Sequence, residues 1–450
     1  MVVKRSAELK LLEEQYASNG SNLVILYGRK GMGKTTLITD FLLGKSAAYY
    51  YEGMECEDQL QLQLLANRLK KEPHALHRDY SRLFTDLMYE GGEKTILVLD
   101  EFHYIIKSGT GILEALRLLN NKNHSIMIVL CSSSIRWVEN EMLNSLADYA
   151  PYITAYMKLK EFSFVDLVKR FPSSSVETCI YINTIMGGIP EYLDLWQEDL
   201  SVEENIKATI LNKNSGLIHA PWQLLKLELR EPAVYNTILY YLAQGNRKLN
   251  DLHARTGFSR AKISVYLKNL IQLDIVEKLV PLGDKGRENA QKGLYRIKDN
   301  LLSFWYRFVF PNLSDLMLGK VDVVFEHSIA PYLDSYMGEY FADVCTEFLK
   351  LMNLHNRLPA TFSWWDRWYG KNGTIDVLSQ SSNKKTLVGC CLWEEGAATV
   401  QDYHRLLALA EDAKVKPDYC YLFSKKGFQD ELRSLAEGRK DIQLIGLEDL

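Results

Sequence analysis

The sequence has little cysteine and no pattern in what it has. Cys56, Cys131, Cys179, Cys345, Cys390, Cys391 and Cys420 fall at irregular spacing with no CxxC pair. That argues against a structural zinc framework and a disulfide scaffold, and for a reducing, cytoplasmic setting. No apolar run approaches the ~20 residues needed to cross a bilayer, so no membrane association is expected. The charged opening, MVVKRSAELKLLEEQ, does not read as a secretory signal. Charge of one sign is also missing: 53 Lys and Arg face 57 Asp and Glu, for a net charge of −4. An overall basic nucleic-acid coat protein is thereby excluded, although one local basic module is not. Repeats and low-complexity stretches are absent as well. What remains is 450 residues, 47% hydrophobic and 24% charged, a globular composition long enough for about three domains.

The most informative stretch begins at Leu23–Tyr27 (LVILY), an apolar run of the kind that forms a buried parallel strand. It leads into Gly28-Arg29-Lys30-Gly31-Met32-Gly33-Lys34-Thr35-Thr36 and then the amphipathic LITDFLL. Strand, glycine-rich turn and helix in that order satisfy G-x-x-x-x-G-K-[ST] at Gly28, Gly33, Lys34 and Thr35. The glycines let backbone N–H groups turn inward toward phosphate, and the helix adds the positive end of its dipole. Lys34 supplies a charge for the β- and γ-phosphates, and Thr35 a hydroxyl for Mg²⁺. The pattern predicts ATP and Mg²⁺ at Gly28–Thr36.

A second apolar run, Thr95–Asp100 (TILVLD), ends in Asp100 and Glu101. Adjacent sheet strands would bring Asp100 beside Thr35, to hold Mg²⁺ through water, with Glu101 placed to orient or deprotonate the attacking water. A third, Ser125–Cys131, ends in Ser132, Ser133 and Ser134. Where such a strand lies between the two motifs, Ser132 or Ser133 can sense the γ-phosphate; a plain polar strand exit is the other reading. The expected set is therefore Lys34, Glu101 and Ser132 for catalysis, with Thr35 and Asp100 for the metal. Tyr49–Tyr51 and Tyr152–Lys158 read as further strands, so residues 1–160 are expected to form a three-layer α/β P-loop NTPase core.

Residues 161–227 read as a helical lid interrupted at Gly187–Leu193 (GGIPEYL), where Gly-Gly and X-Pro end one helix and start another. Residues 228–312 read as a winged helix-turn-helix. Its helices are Ala233–Ala243, Leu249–Thr256 and a third, capped by Ser259, that presents Ile263, Leu267, Leu270 and Ile271 to the core and Lys262, Val265, Lys268 and Asn269 away from it. Ile275–Val280 and Leu294–Ile297 are expected to pair around a polar hairpin. Residues 245–300 carry twelve Lys and Arg against six Asp and Glu. Either double-stranded DNA or a protein partner suits that surface. Residues 318–450 alternate helix and strand.

These pieces resemble the archaeal-type ATPases, on the AAA/STAND side of the P-loop NTPases. The likeness is carried by ELKLLEEQY, GRKGMGKTT, LVLDEFHY, GGIPEYL, the winged helix, YRIKDNLLSFWYRFVFPN and WWDR…TIDVL…GCCLW. It implies a C-terminal α/β domain of restriction-endonuclease type, in which Asp376 matches a metal-binding Asp. The family's Gly-Glu-Cys-Lys-Trp run appears here as Gly389-Cys390-Cys391-Leu392-Trp393, so Cys390 replaces the Glu and Leu392 the Lys. The usual upstream helix Glu falls at Ala342, with Glu339 or Glu347 as substitutes. A thiol and an isobutyl group cannot hold hard Mg²⁺, so the domain is expected to keep the fold and to have lost the nuclease chemistry. Relatives also carry an Arg where Pro151–Ala155 has none; Arg136 is the candidate replacement, and slow basal turnover is expected. The implied function is an ATP-hydrolysing switch coupling nucleotide state to the winged helix and nuclease-like module. An ATP-regulated endonuclease and a DNA-binding regulator that senses ATP occupancy without turnover are the other readings.

Overall fold

The computed structural model describes residues 5–69, 79–88, 94–116, 125–279, 293–393 and 396–450. They form two compact units, one ending at Glu161 and including Ile189–Glu191, the other comprising Phe162–Gly188 and Tyr192–Leu450.

The first unit is built on five parallel strands: β1 (Asn22–Tyr27), β2 (Ala48–Glu52), β3 (Thr95–Asp100), β4 (Ile126–Ser132) and β5 (Ile153–Lys158), in the order β2-β3-β4-β1-β5. Every residue of β1, β3 and β4 is buried, as expected of strands covered on both faces. Leu23, Ile25, Leu97, Leu99, Ile126 and Ile128 pack with Leu65, Phe84, Phe102 and Ile105 in one core layer. The intervening Val24, Leu26, Val98 and Val129 are buried on the opposite face, giving the three-layer core. One expectation is corrected. The strands ending in Gly28 and Asp100 are not neighbours, because β4 pairs with both β1 and β3. That insertion puts the Ser132–Ser133 strand end between them.

In the second unit, Phe164–Arg170 and Val176–Met186 are helices with N-caps at Ser163 and Ser175. The winged helix follows with helices Pro232–Ala243, Leu249–Thr256 and Arg260–Gln272, and with β6 (Val276–Leu279) antiparallel to β7 (Leu294–Ile297). Ser259 Oγ accepts from Lys262 N, as its cap role requires. Ile263, Leu267 and Leu270 are buried, and Val265 is 58% exposed. Asn269 departs from its expected outward position: its Nδ2 donates to Tyr235 OH at 2.7 Å, tying it to the first helix. The hairpin residues 280–292 lie outside the described residues.

A second sheet, order β12-β11-β10-β9-β8, comprises β8 (Phe362–Tyr369), β9 (Thr374–Ser381), β10 (Thr386–Leu392), β11 (Tyr419–Ser424) and β12 (Ile442–Gly446). β8, β9 and β10 are antiparallel, whereas β10, β11 and β12 are parallel. Helix Val400–Asp412 covers it through Tyr403, Leu406, Leu409 and Ala410. The chain is thus an α/β protein with a P-loop sheet, a winged helix and a separate C-terminal α/β domain.

Candidate functional site

Parallel strands gather their loops at one sheet edge, and here β1, β3 and β4 deliver Gly28, Asp100–Glu101 and Ser132–Ser133 to it. The turn after β1 needs its glycines. Gly31 has φ +85° and Gly33 φ +79°, left-handed values that favour glycine, and Gly33 caps helix Lys34–Leu42. A Cβ on Gly31 would also collide with the Glu191 carboxylate. Within the turn Arg29 and Met32 are buried, while Lys30, Thr35 and Thr36 are exposed.

Lys34 Nζ donates to Gly28 O at 2.8 Å and Arg29 O at 3.3 Å. Burial pushes its ammonium below the ordinary range, and the Glu101, Asp100 and Glu191 carboxylates push back. Thr35 Oγ1 lies 3.5 Å from Asp100 Oδ2, so the structure brings together the two expected metal ligands. Asp100 is held from two further sides: Tyr50 OH donates to Oδ2 and Glu101 N to Oδ1, each at 2.8 Å.

Glu101 sits at φ 47°, a left-handed conformation that costs of order 1–3 kcal/mol in a non-glycine residue. Its Oε2 accepts from Ser133 Oγ at 2.7 Å and from Ser133 N at 3.0 Å. His103 Nδ1 is 3.3 Å from the same oxygen and 3.1 Å from Ser132 Oγ. Burial, then Lys107 and Lys34, push His103 down to about 4, so it is neutral at pH 7. Ser132 Oγ also accepts from Ser134 N at 3.2 Å. Ser133, rather than Ser132, therefore meets the expected base. Arg136, the candidate for the missing arginine, is exposed just after β4.

Sequence reasoning missed four neighbours of this site. Tyr50 was legible only as part of a strand, and its role follows from β2 lying beside β3. His103 lies two residues beyond Glu101, in the first turn of helix Phe102–Ser108. Arg5 Nη2 donates to Met32 O and Lys160 O, both at 2.8 Å, bracing the P-loop from a segment with no motif. Glu191, within GGIPEYL, donates its N–H to Gly31 O at 3.2 Å.

The metal positions implied for the C-terminal domain are otherwise occupied. Asp376 Oδ2 accepts from Cys391 N at 2.9 Å, and burial pushes its carboxyl up. Glu339 pairs with Arg247 at 2.5 Å, and Glu347 Oε1 accepts from Phe164 N at 2.7 Å. Asp343, beside Ala342, is bound by Arg296 and Arg367; burial alone would raise its pKa, but the two guanidinium groups hold it low. Among the described residues, no group of three or more His, Cys, Asp or Glu is placed to hold a metal ion.

A strand-turn-helix phosphate nest, a buried lysine and an acid pair on a second strand define the P-loop ATPase class. Residues 2–195 match the ATPase domain found predominantly in Archaea, and residues 236–278 the bacterial regulatory proteins of the arsR family. Residues 305–405 match archaeal and bacterial proteins of unknown function. An uncharacterized ATP-binding protein of Methanocaldococcus jannaschii is 51% identical over 45 residues, 10% of this chain and 76% of that one. An uncharacterized protein of the same organism is 29% identical over 399 residues, 88% of each chain. The ORC2 protein of Aeropyrum pernix, solved as ADPNP–ADP complexes, is 15% identical over 71% of this chain and 95% of that one, with a TM-score of 0.48. Residues 2–195 are thus similar to the archaeal-type ATPase domain. No described helix is long and apolar enough to cross a membrane.

Proposed function

We propose that this protein is an ATP-hydrolysing switch whose nucleotide state is read by a winged helix that meets duplex DNA. The observation that carries the reading is the convergence, at one sheet edge, of a phosphate nest, Lys34, the Thr35–Asp100 pair and a hydrogen-bonded Glu101. The turn's N–H groups and the helix dipole bind the phosphates, with Lys34 exchanging the Gly28 and Arg29 carbonyls for them. Thr35 and Asp100 offer hard oxygens, which fit Mg²⁺. Bound there, Mg²⁺ supplies neutralisation of the charge that develops during phosphoryl transfer.

Tyr50 and the Glu101 N–H fix the Asp100 carboxylate, so it holds one orientation as nucleotide enters. Glu101 is the base. Ser133 engages its Oε2 and leaves Oε1, which has no partner among the described residues, to orient or deprotonate water. Ser133 is a positioning residue in this scheme. The absence of an arginine at Pro151–Ala155 fits slow basal turnover, with Arg136 the candidate for transition-state charge.

DNA is the favoured partner because the third helix leaves Arg260, Ser264, Val265 and Lys268 exposed. Lys262 is less available, lying over the rings of Phe258 and Tyr266 at 4.7 and 5.7 Å. The endonuclease reading gains no support from Asp376, whose expected carboxylate and lysine partners are absent. Fluorescence anisotropy with a labelled duplex tests the switch: affinity should differ between ADP and a non-hydrolysable ATP analogue. Lys268→Ala should weaken binding across sequences and reduce the log–log salt slope by about one. Equal affinity in both nucleotide states would reduce the protein to a DNA binder with an uncoupled ATPase site.

A further inference from the structure

Within the second unit, the winged helix and helix Ala330–Leu354 enclose a polar cavity of about 110 Å³. On the same measure a single water needs about 10–15 Å³, so the space holds several waters, or one tetrahedral oxyanion with its oxygens in their place. Three arginines from different elements line it: Arg247 before the second winged-helix helix, Arg296 on β7 and Arg307 in the Trp305–Val309 turn.

Their charges are not equally committed. Arg296 binds both oxygens of Asp343 at 2.9 Å and also pairs with Glu277. Arg247 meets the exposed carboxylate of Glu339, a partner already half in solvent. Arg307 Nη1 donates to Gln244 Oε1, a neutral amide, and no carboxylate pairs with it among the described residues. Five hydroxyl side chains also line it: Ser303 and Tyr340, which hydrogen-bond each other, and Tyr332, Ser335 and Tyr336. Ser335 is exposed at the rim. Tyr336 is 7% exposed, and its hydroxyl has no hydrogen-bond partner among the described residues.

A guanidinium and a hydroxyl that find no carboxylate and no hydrogen-bond partner, respectively, among the described residues make an incomplete set of donors in a small polar cavity. Oxyanions complete such sets, and the planar arginine fork suits a phosphate better than a spherical anion. We propose that this cavity binds a phosphate dianion, independently of the P-loop. The shared chemistry is the dianionic phosphate group, free or at the end of a nucleotide. Because the arginines come from the winged helix and the carboxylates from Ala330–Leu354, occupancy would tie those elements together.

The test uses the full chain carrying Lys34→Ala, which disables the P-loop site and keeps the two readings separate. Thermal shift and calorimetry at constant ionic strength would compare inorganic phosphate, a nucleoside 5′-monophosphate and chloride. The proposal predicts saturable stabilisation by phosphate and not by chloride that persists in Lys34→Ala. Tighter binding of the monophosphate would identify a nucleotide end as the source, and equal binding would identify free phosphate. Arg307→Gln should weaken binding roughly tenfold or more. Ser335→Asp should do the same by placing a carboxylate at the exposed rim, where the fold is not at stake. No saturable response to millimolar phosphate, or an undiminished response in Ser335→Asp and Arg307→Gln, overturns it.

Discussion

Glu101 shows how much of this site depends on single atoms. Its position after Asp100 is legible in LVLDE, but its partner is not, because Ser132, Ser133 and Ser134 are equivalent in the sequence. The strand pairing separates them: Ser132 ends β4 opposite Tyr27 and turns its hydroxyl to His103, whereas Ser133 clears the sheet and meets Glu101. Ser133→Ala should therefore lower kcat on the order of tenfold with little change in KM, since it loosens the base without touching phosphate binding. Steady-state kinetics checks this; an unchanged kcat would remove Ser133 from the mechanism. His103 gives a pH prediction. Its folded pKa of about 4 lies below the ordinary 6.5, so the unfolded chain takes up the proton first. The associated stability is complete above pH 6.5 and is lost as pH falls from 6.5 toward 4, by on the order of 3 kcal/mol. Urea denaturation of wild type and His103→Gln across that range should show a steeper loss in the wild type.

At the scale of elements, the P-loop is braced by two segments distant in sequence, the Arg5 turn and Ile189–Glu191. Gly31 is where this matters most. Gly31→Ala would combine a left-handed φ, which costs roughly 1–2 kcal/mol, with a collision against Glu191. It should weaken ATP binding even though alanine adds no charge, and Glu191→Ala in the same chain should restore part of the affinity. Calorimetric titration of the single and double variants would show it; purely additive losses would contradict the contact. The strands that carry the site were readable because parallel, doubly covered strands are continuous apolar runs. Their order was not, since a run says nothing of its neighbours, and the insertion of β4 between β1 and β3 follows from topology. The C-terminal elements were harder. Trp364–Tyr369 is so crowded with aromatic rings that no alternation marks it as part of β8, and Ile442–Gly446 is a short edge strand with little pattern of its own. In the winged helix, periodicity placed Ile263, Leu267 and Leu270 correctly, but it could not show that Asn269 is drawn inward by Tyr235.

Over the whole molecule, function is divided between a unit that holds the nucleotide site and a unit that carries the winged helix and second sheet, and the chain passes between them around Ile189–Glu191. Charged groups beside the second sheet serve structure: Arg296, Asp343 and Arg367 link β7, helix Ala330–Leu354 and β8. We place the chemistry at the P-loop edge. The most direct test is ATP turnover by the full chain with Mg²⁺, compared with Lys34→Ala and Glu101→Gln, with and without duplex DNA. The account predicts slow hydrolysis by wild type and a change in rate on adding DNA. It predicts no binding or hydrolysis by Lys34→Ala, and ATP binding without turnover by Glu101→Gln. Hydrolysis that survives in Glu101→Gln, or a wild type that binds ATP and never turns it over, would contradict it.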